Sequence, residues 1–184
     1  MAKVLLFIAD GTEEVEALTT VDILRRAGIE VTTVSIMGRE EIKSSHGIRI
    51  HADELIENVV FDDKDMLILP GGKVGTDNLP ADKTLADQIL KFRSEGKALA
   101  AICAAPTVFA SLGILKGIKS TCNIGFKDVL IEAGALYDGN AKAVTDDKII
   151  TSQAMGTSVP FGLEIVKFFE GEEKASALKA DIAF

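Results

Sequence analysis

Strand-like and helix-like segments alternate along this chain from its first residues to its last. Val4–Ala9 is a short, continuous apolar run bounded by Asp10-Gly11, the pattern of a strand buried on both faces. Glu13–Ala27 reads as a helix, with Glu13, Glu14 and Glu16 in its early turns, Arg25 and Arg26 in its last, and Gly28 as its stop. Further strands are expected at Ile29–Ile36, Asp65–Leu69 and Lys97–Ile102. A short antiparallel hairpin or meander is expected at Glu41–Ile50, and a second hairpin around Asp146-Asp147. Asp82–Ser94, Pro106–Leu112, Ser158–Glu170 and Glu173–Lys179 read as helices. Such alternation predicts a mostly parallel sheet with helices on both faces, a three-layer α/β/α sandwich. There is no linker, repeat or low-complexity tract, so 1–184 reads as one domain.

Composition removes several classes of function. The formal net charge of −8 argues against nonspecific binding to nucleic acid or to anionic membrane. Aromatic residues are 5% of the chain, with no Trp and one Tyr, too few for platforms that stack single-stranded bases. No apolar stretch approaches the roughly 20 residues of a membrane span, and MAKVLLFIAD lacks the pattern of a signal peptide. The expected address is a reducing cytoplasm, and the two cysteines, Cys103 and Cys122, do not make a disulfide framework.

Ligands in folds of this class bind at the carboxyl ends of the strands. Four such ends carry candidate chemistry: Asp10-Gly11, Pro70-Gly71-Gly72, Cys103-Ala104 and Gln153–Gly156. Cys103 lies between the run Ala98–Ile102 and the helix opened by Pro106. A strand-to-helix turn with small neighbours exposes its side chain at the top of a sheet, beside N–H groups that favour a thiolate. The alternative is an inert cysteine packed as a small hydrophobe. Glu16 falls between Ile23 and Ala27 on the helical wheel, with Thr20 and Leu24 on the same arc. A carboxylate in an apolar stripe is costly unless it is partnered or protonated. Either the stripe partly faces solvent or satisfies Glu16 structurally, or Glu16 stands beside the site at the end of the first strand. If Glu16 meets Cys103, the useful state is a neutral carboxyl donating to a thiolate, and the two groups titrate as a pair.

The backbone N–H groups of Gly71, Gly72 and Ala104 are candidate oxyanion donors; a sharp turn that only glycine tolerates explains Gly71-Gly72 equally well. Thr157 and Ser158 open a helix and supply either caps or substrate contacts. Cys122 is either a packed thiol or a resolving one. Both histidines, His46 and His51, precede Cys103, so a Cys-His dyad with its base downstream is impossible. Two histidines and two cysteines so dispersed do not resemble a zinc site, and no other metal ligand set stands out. No hydroxyl-rich phosphate loop follows the first strand, which argues against a flavodoxin-type electron carrier.

Four motifs occur in order: Asp10-Gly11-Thr12-Glu13-Glu14-Val15-Glu16, Leu69-Pro70-Gly71-Gly72, Ala101-Ile102-Cys103-Ala104-Ala105-Pro106-Thr107, and Thr151-Ser152-Gln153 followed by Gly156-Thr157-Ser158. Together they resemble the ThiJ/PfpI superfamily over essentially the whole chain, closest to the branch of the Parkinson-associated protein deglycase and YajL-type proteins. The resemblance implies a flavodoxin-like sandwich, a homodimer, Cys103 as a reactive and oxidisable cysteine, Glu16 as a protonated glutamate, and Gly71 and Gly72 as backbone donors. It implies cofactor-free glyoxalase or deglycase chemistry on methylglyoxal, related 2-oxoaldehydes or glycated adducts. The alternative is a redox sensor or stress chaperone that responds through Cys103. His46 stands where the branch often has an arginine, and Asn123 near a position where some members carry a histidine. His46, Asn123, Thr157 and Ser158 are thus candidate substrate or dimer contacts. The protease-like branch has a histidine where this chain has Ala104, which argues against peptidase activity.

Overall fold

A computed structural model describes residues 1–184. The first half builds β1 (Lys3–Ile8), α1 (Glu14–Arg26), β2 (Glu30–Ser35), β3 (Glu41–Lys43), β4 (Arg49–His51), β5 (Glu54–Leu55), β6 (Met66–Leu69), α2 (Lys73–Asn78) and α3 (Lys83–Ser94). The second builds β7 (Ala98–Ile102), α4 (Pro106–Ser111), β8 (Lys119–Ser120), α5 (Lys127–Glu132), β9 (Leu136–Tyr137), β10 (Ala143–Asp146), β11 (Ile149–Ser152), α6 (Ser158–Glu170) and α7 (Glu172–Asp181). The main sheet runs β10-β11-β7-β6-β1-β2-β5, with every neighbouring pair parallel except β10–β11.

Its five longer parallel strands, taken in chain order, lie 2-1-3-4-5 across the sheet, the flavodoxin-like order. The order reverses between β1 and β6, so the crevice at their carboxyl ends is the switch point where such folds take ligands.

Strand residues alternate between two apolar layers, which explains why the strands read as continuous apolar runs. Leu6, Ile8, Ile68 and Ile102 pack with Leu24 of α1 and with Phe161 and Ile165 of α6 on one face. Leu5, Phe7, Leu67 and Leu69 pack with Phe92 of α3 and Phe109 of α4 on the other. The hairpin β10–β11 turns through Asp147 and Lys148, both at positive φ, the geometry of a two-residue type I′ turn. Sequence periodicity did not reveal α2, β5, β8, α5 or β9, the longest of which has 6 residues. Such pieces are too short to carry a period and depend on packing.

Phe161 is fully buried where α6 meets the sheet and α1. Phe161→Ala is expected to cost about 3–5 kcal/mol in denaturant unfolding, because the vacated volume cannot fully collapse.

Candidate active site

Glu16 reaches the switch point because the chain turns back at once after β1. Gly11 has φ +81, and the Thr12 N–H closes the turn on the Ala9 carbonyl at 3.0 Å. Glu13 then caps α1 by accepting the Glu16 N–H at 2.7 Å. One turn of helix carries the Glu16 side chain inward, where it is fully buried. Its Oε2 accepts the Gly71 N–H at 2.8 Å, while Oε1 is buried with no hydrogen-bond partner.

Gly71 must be glycine for reasons of space. A Cβ there would stand 2.6 Å from Cys103 Cβ and 2.6 Å from Glu16 Oε2. That one position touches both groups, which shows how tightly α1, β6 and the end of β7 converge. Gly72 has φ +87, and a Cβ on it would strike the Gly11 carbonyl oxygen at 2.2 Å.

Cys103 forms the elbow that its neighbours suggest. Its φ is +66, a left-handed conformation uncommon for a residue with a Cβ and typical of strained functional turns. Two backbone bonds impose it: the Cys103 N–H donates to the Ser152 carbonyl at 3.1 Å, and the Cys103 carbonyl accepts the Asn123 N–H at 2.9 Å. The side chain is half-buried, with the Gly72 and Ala104 N–H groups directed at the sulfur. Helix α4, which follows, has 6 residues, so these two N–H groups matter more than its dipole.

Burial pushes the Glu16 carboxyl up to about 7, against the pull of the Gly71 N–H and the Cys103 thiol. Burial and an ionised Glu16 push the thiol up to about 12, while the Gly72 and Ala104 N–H groups pull it down. The two acids therefore oppose each other. An ionised Glu16 holds the thiol protonated; a Glu16 that keeps its proton removes the repulsion and can donate to the sulfur. Burial of the carboxyl favours a neutral Glu16, which leaves the Gly72 and Ala104 N–H groups unopposed by its charge in drawing the thiol down.

The structure corrects part of the donor set. The Gly71 N–H is already given to Glu16, so of the three candidate donors only those of Gly72 and Ala104 reach Cys103. Thr157 and Ser158 are buried, and their hydroxyls bond within their own turn. Thr157 Oγ1 lies 2.7 Å from Ser152 Oγ and accepts the Ala154 N–H at 3.0 Å, and Ser158 Oγ donates to the Met155 carbonyl at 2.7 Å. Asn123 adjoins Cys103 through its backbone, and its Oδ1 accepts the Gly125 N–H at 3.0 Å. His46 is exposed on the β3–β4 hairpin with Nδ1 2.9 Å from Glu14 Oε1, and Ser45 Oγ donates to Glu14 Oε2 at 2.9 Å. Burial raises the Glu14 carboxyl, but hydrogen bonds from its own N–H, Ser45 and Ser44, with the His46 charge, outweigh it and bring it to about 2. Glu13, Glu14 and His46 offer ligand atoms within 4.8 Å of one another, yet the cap and the hairpin bonds already occupy these groups.

Cys122 is buried in the apolar layer of α3 and α4, and Cys103 packs on the layer of α1 and α6. Burial alone pushes the Cys122 thiol up to about 12, as expected of a packed residue. Two supports escaped sequence reasoning. The Ser152 carbonyl sets the Cys103 elbow, and Asp10 accepts from Arg39 and from the Lys43 N–H, tying the hairpin to the end of β1. Backbone acceptors leave no mark in sequence, and an acidic residue at a strand end reads simply as a turn former.

The pattern of the DJ-1/PfpI family matches residues 2–168. The chain belongs to that family. Protein DJ-1 homolog B of Arabidopsis thaliana is 36% identical over 94% of this chain and 39% of its own length, so this chain spans about two fifths of that relative. Within the family, the glutathione-independent glyoxalase DJR-1.2 of Caenorhabditis elegans is 35% identical over 96% of this chain and 93% of its own. Among solved DJ-1/PfpI structures, oxidized DJ-1 of Toxoplasma gondii superposes with a TM-score of 0.94 at 30% identity, covering 100% of this chain and 99% of that one.

Glu16 has a folded pKa raised from 4.5 to about 7, so its contribution favours folding at low pH and is lost as pH rises toward 7. Wild type is therefore expected to lose stability relative to Glu16→Gln between about pH 4.5 and 7, by about 3 kcal/mol, with no further divergence above or below. Urea unfolding of both proteins across that range checks it. A constant difference would mean that Glu16 titrates normally.

Proposed function

We propose that this protein is a cysteine-dependent, cofactor-free enzyme of glyoxalase or deglycase type, acting on methylglyoxal, related 2-oxoaldehydes or their adducts in protection against carbonyl and oxidative stress. The observation that carries the reading is the buried Glu16 carboxyl packed against the strained Cys103 elbow. The glyoxalase name of the Caenorhabditis elegans relative supports the same chemistry.

In this mechanism the Cys103 thiolate attacks the aldehyde carbon. The C–S bond forms, the carbonyl π pair moves to oxygen, and the Glu16 proton neutralises it as a hemithioacetal. The Gly72 and Ala104 N–H groups steady the negative charge as it passes from sulfur to oxygen. Glu16, now a carboxylate, removes the proton from the carbon bearing sulfur. The resulting enediolate takes that proton back from Glu16 at the adjacent carbon, while the hydroxyl on the sulfur-bearing carbon passes its proton to the neighbouring oxygen, which gives a thioester of the 2-hydroxy acid. Water cleaves the thioester, releasing the hydroxy acid and restoring the thiol. A carboxyl raised toward 7 suits both roles.

The reading includes a second copy of the chain as partner. Val15 and Leu18 on one face of α1 and Ile48 on the adjoining hairpin are 41%, 45% and 50% exposed, an apolar face suited to a symmetric contact. It also includes a reducing compartment such as the cytoplasm, where Cys103 stays a free thiol.

Cys103→Ser is expected to abolish lactate formation from methylglyoxal, and Glu16→Gln to lower kcat by about 10²–10⁴-fold. Undiminished lactate formation by Cys103→Ser would sink the scheme.

One observation favours a second role. The donors that suit a thiolate also suit a sulfinate, and a Glu16 O–H can donate to one. Mild peroxide followed by intact-mass measurement separates the roles. A dominant two-oxygen adduct on Cys103, with negligible aldehyde turnover by the reduced protein, identifies a redox sensor. Turnover that peroxide extinguishes identifies the enzyme.

A further inference from the structure

Two exposed apolar side chains stand on the two loops that hydrogen-bond to the backbone of Cys103. The Cys103 N–H to Ser152 carbonyl bond brings the end of β11 alongside, and Met155 follows three residues later, 52% exposed. The Thr157 N–H to Ala154 carbonyl bond of 2.7 Å and the Ser158 hydroxyl on the Met155 carbonyl hold that residue in a tight turn. The bond from the Asn123 N–H to the Cys103 carbonyl fixes residues 123–125, a segment held beside β11 by the Thr121 N–H on Thr151 Oγ1 at 2.9 Å. Asn123 Oδ1 accepts the Gly125 N–H and leaves Ile124 at the tip, 68% exposed. Turn tips ordinarily carry polar residues. Neither side chain belongs to the apolar layers, so packing does not account for them.

The chain around these two turns is also uncharged. Residues 98–115, 120–126 and 149–163 contain no Asp, Glu, Lys or Arg, in a protein with 26% of such residues. The β11 side of the thiol is thus uncharged and carries an isoleucine and a methionine on pinned turns.

We propose that Ile124 and Met155 form an apolar lip over Cys103 that selects 2-oxoaldehydes bearing an aryl or branched alkyl substituent over methylglyoxal and over aldehydes bearing a carboxylate. The inference rests on Cys103 as the reacting group. With the aldehyde carbon bonded to sulfur, the substituent extends outward past the turns. An apolar substituent gains contact there, and a carboxylate meets no counter-charge on those turns.

The test compares phenylglyoxal with methylglyoxal as kcat/KM ratios in wild type, Ile124→Ser, Met155→Ser and the double variant. The double variant's ratio is expected to fall about tenfold, the low end for a lost apolar contact at an open site. Val60→Ser removes a side chain that is 66% exposed near the opposite end of β6, and is expected to leave the ratio unchanged. An unchanged ratio in a double variant with wild-type circular dichroism overturns the lip. A second readout needs no turnover: alkylation of Cys103 by N-phenyl iodoacetamide relative to iodoacetamide. If neither aldehyde is consumed, the enzyme reading fails. The lip is then decided by alkylation alone, supported if the phenyl preference falls in the double variant and overturned if it does not.

Discussion

The hydrogen bond from the Gly71 N–H to Glu16 is the contact on which the site depends. It ties the first helix to the end of β6 across the point where strand order reverses. It also satisfies only one oxygen of a carboxyl that water cannot reach. Complete satisfaction would have stabilised the anion and made Glu16 an ordinary structural acid. A bare carboxyl would have been too costly to keep. One backbone donor leaves it near the middle of the physiological range, where a group can both give and take a proton.

The rest of the architecture brings this contact within reach of the thiol. Parallel strands end together, so β1, β6 and β7 deliver Glu16, Gly71 and Cys103 to one edge with no special device. What is special is the separation, which only glycine at 71 permits. The two apolar layers, built from alternating residues of the same strands, hold α1 and the β7 elbow against the sheet. Closely packed layers do not yield by the ångström that a methyl group at 71 would require.

The parts legible in sequence were those with a period or a contradiction. Apolar runs gave the main strands, and the wheel position of Glu16, between Ile23 and Ala27, marked a charge where none should be. Small residues after Ile102 suggested the elbow. The positive φ was not legible, because it comes from a carbonyl on β11 and an N–H at 123 that any residues could supply. For the same reason, the glycine pair looked like two equivalent donors. One N–H in fact serves the carboxyl and the other the sulfur, a division fixed by where α1 lies. Thr157 and Ser158 were open to either purpose because hydroxyls at a helix start serve as caps or as contacts; in the fold both are buried and bonded within their own turn. The family motifs hold the residues at which three chain segments converge.

The left-handed backbone at Cys103 works against the fold. A residue with a Cβ in that conformation costs the fold about 1–2 kcal/mol, which glycine would recover without disturbing either flanking hydrogen bond. Mutation to glycine would thus relieve the backbone, give up the packing of this side chain on the layer of α1 and α6, and remove the thiol. At this one position the demands of the backbone and the presence of a thiol are therefore set against each other.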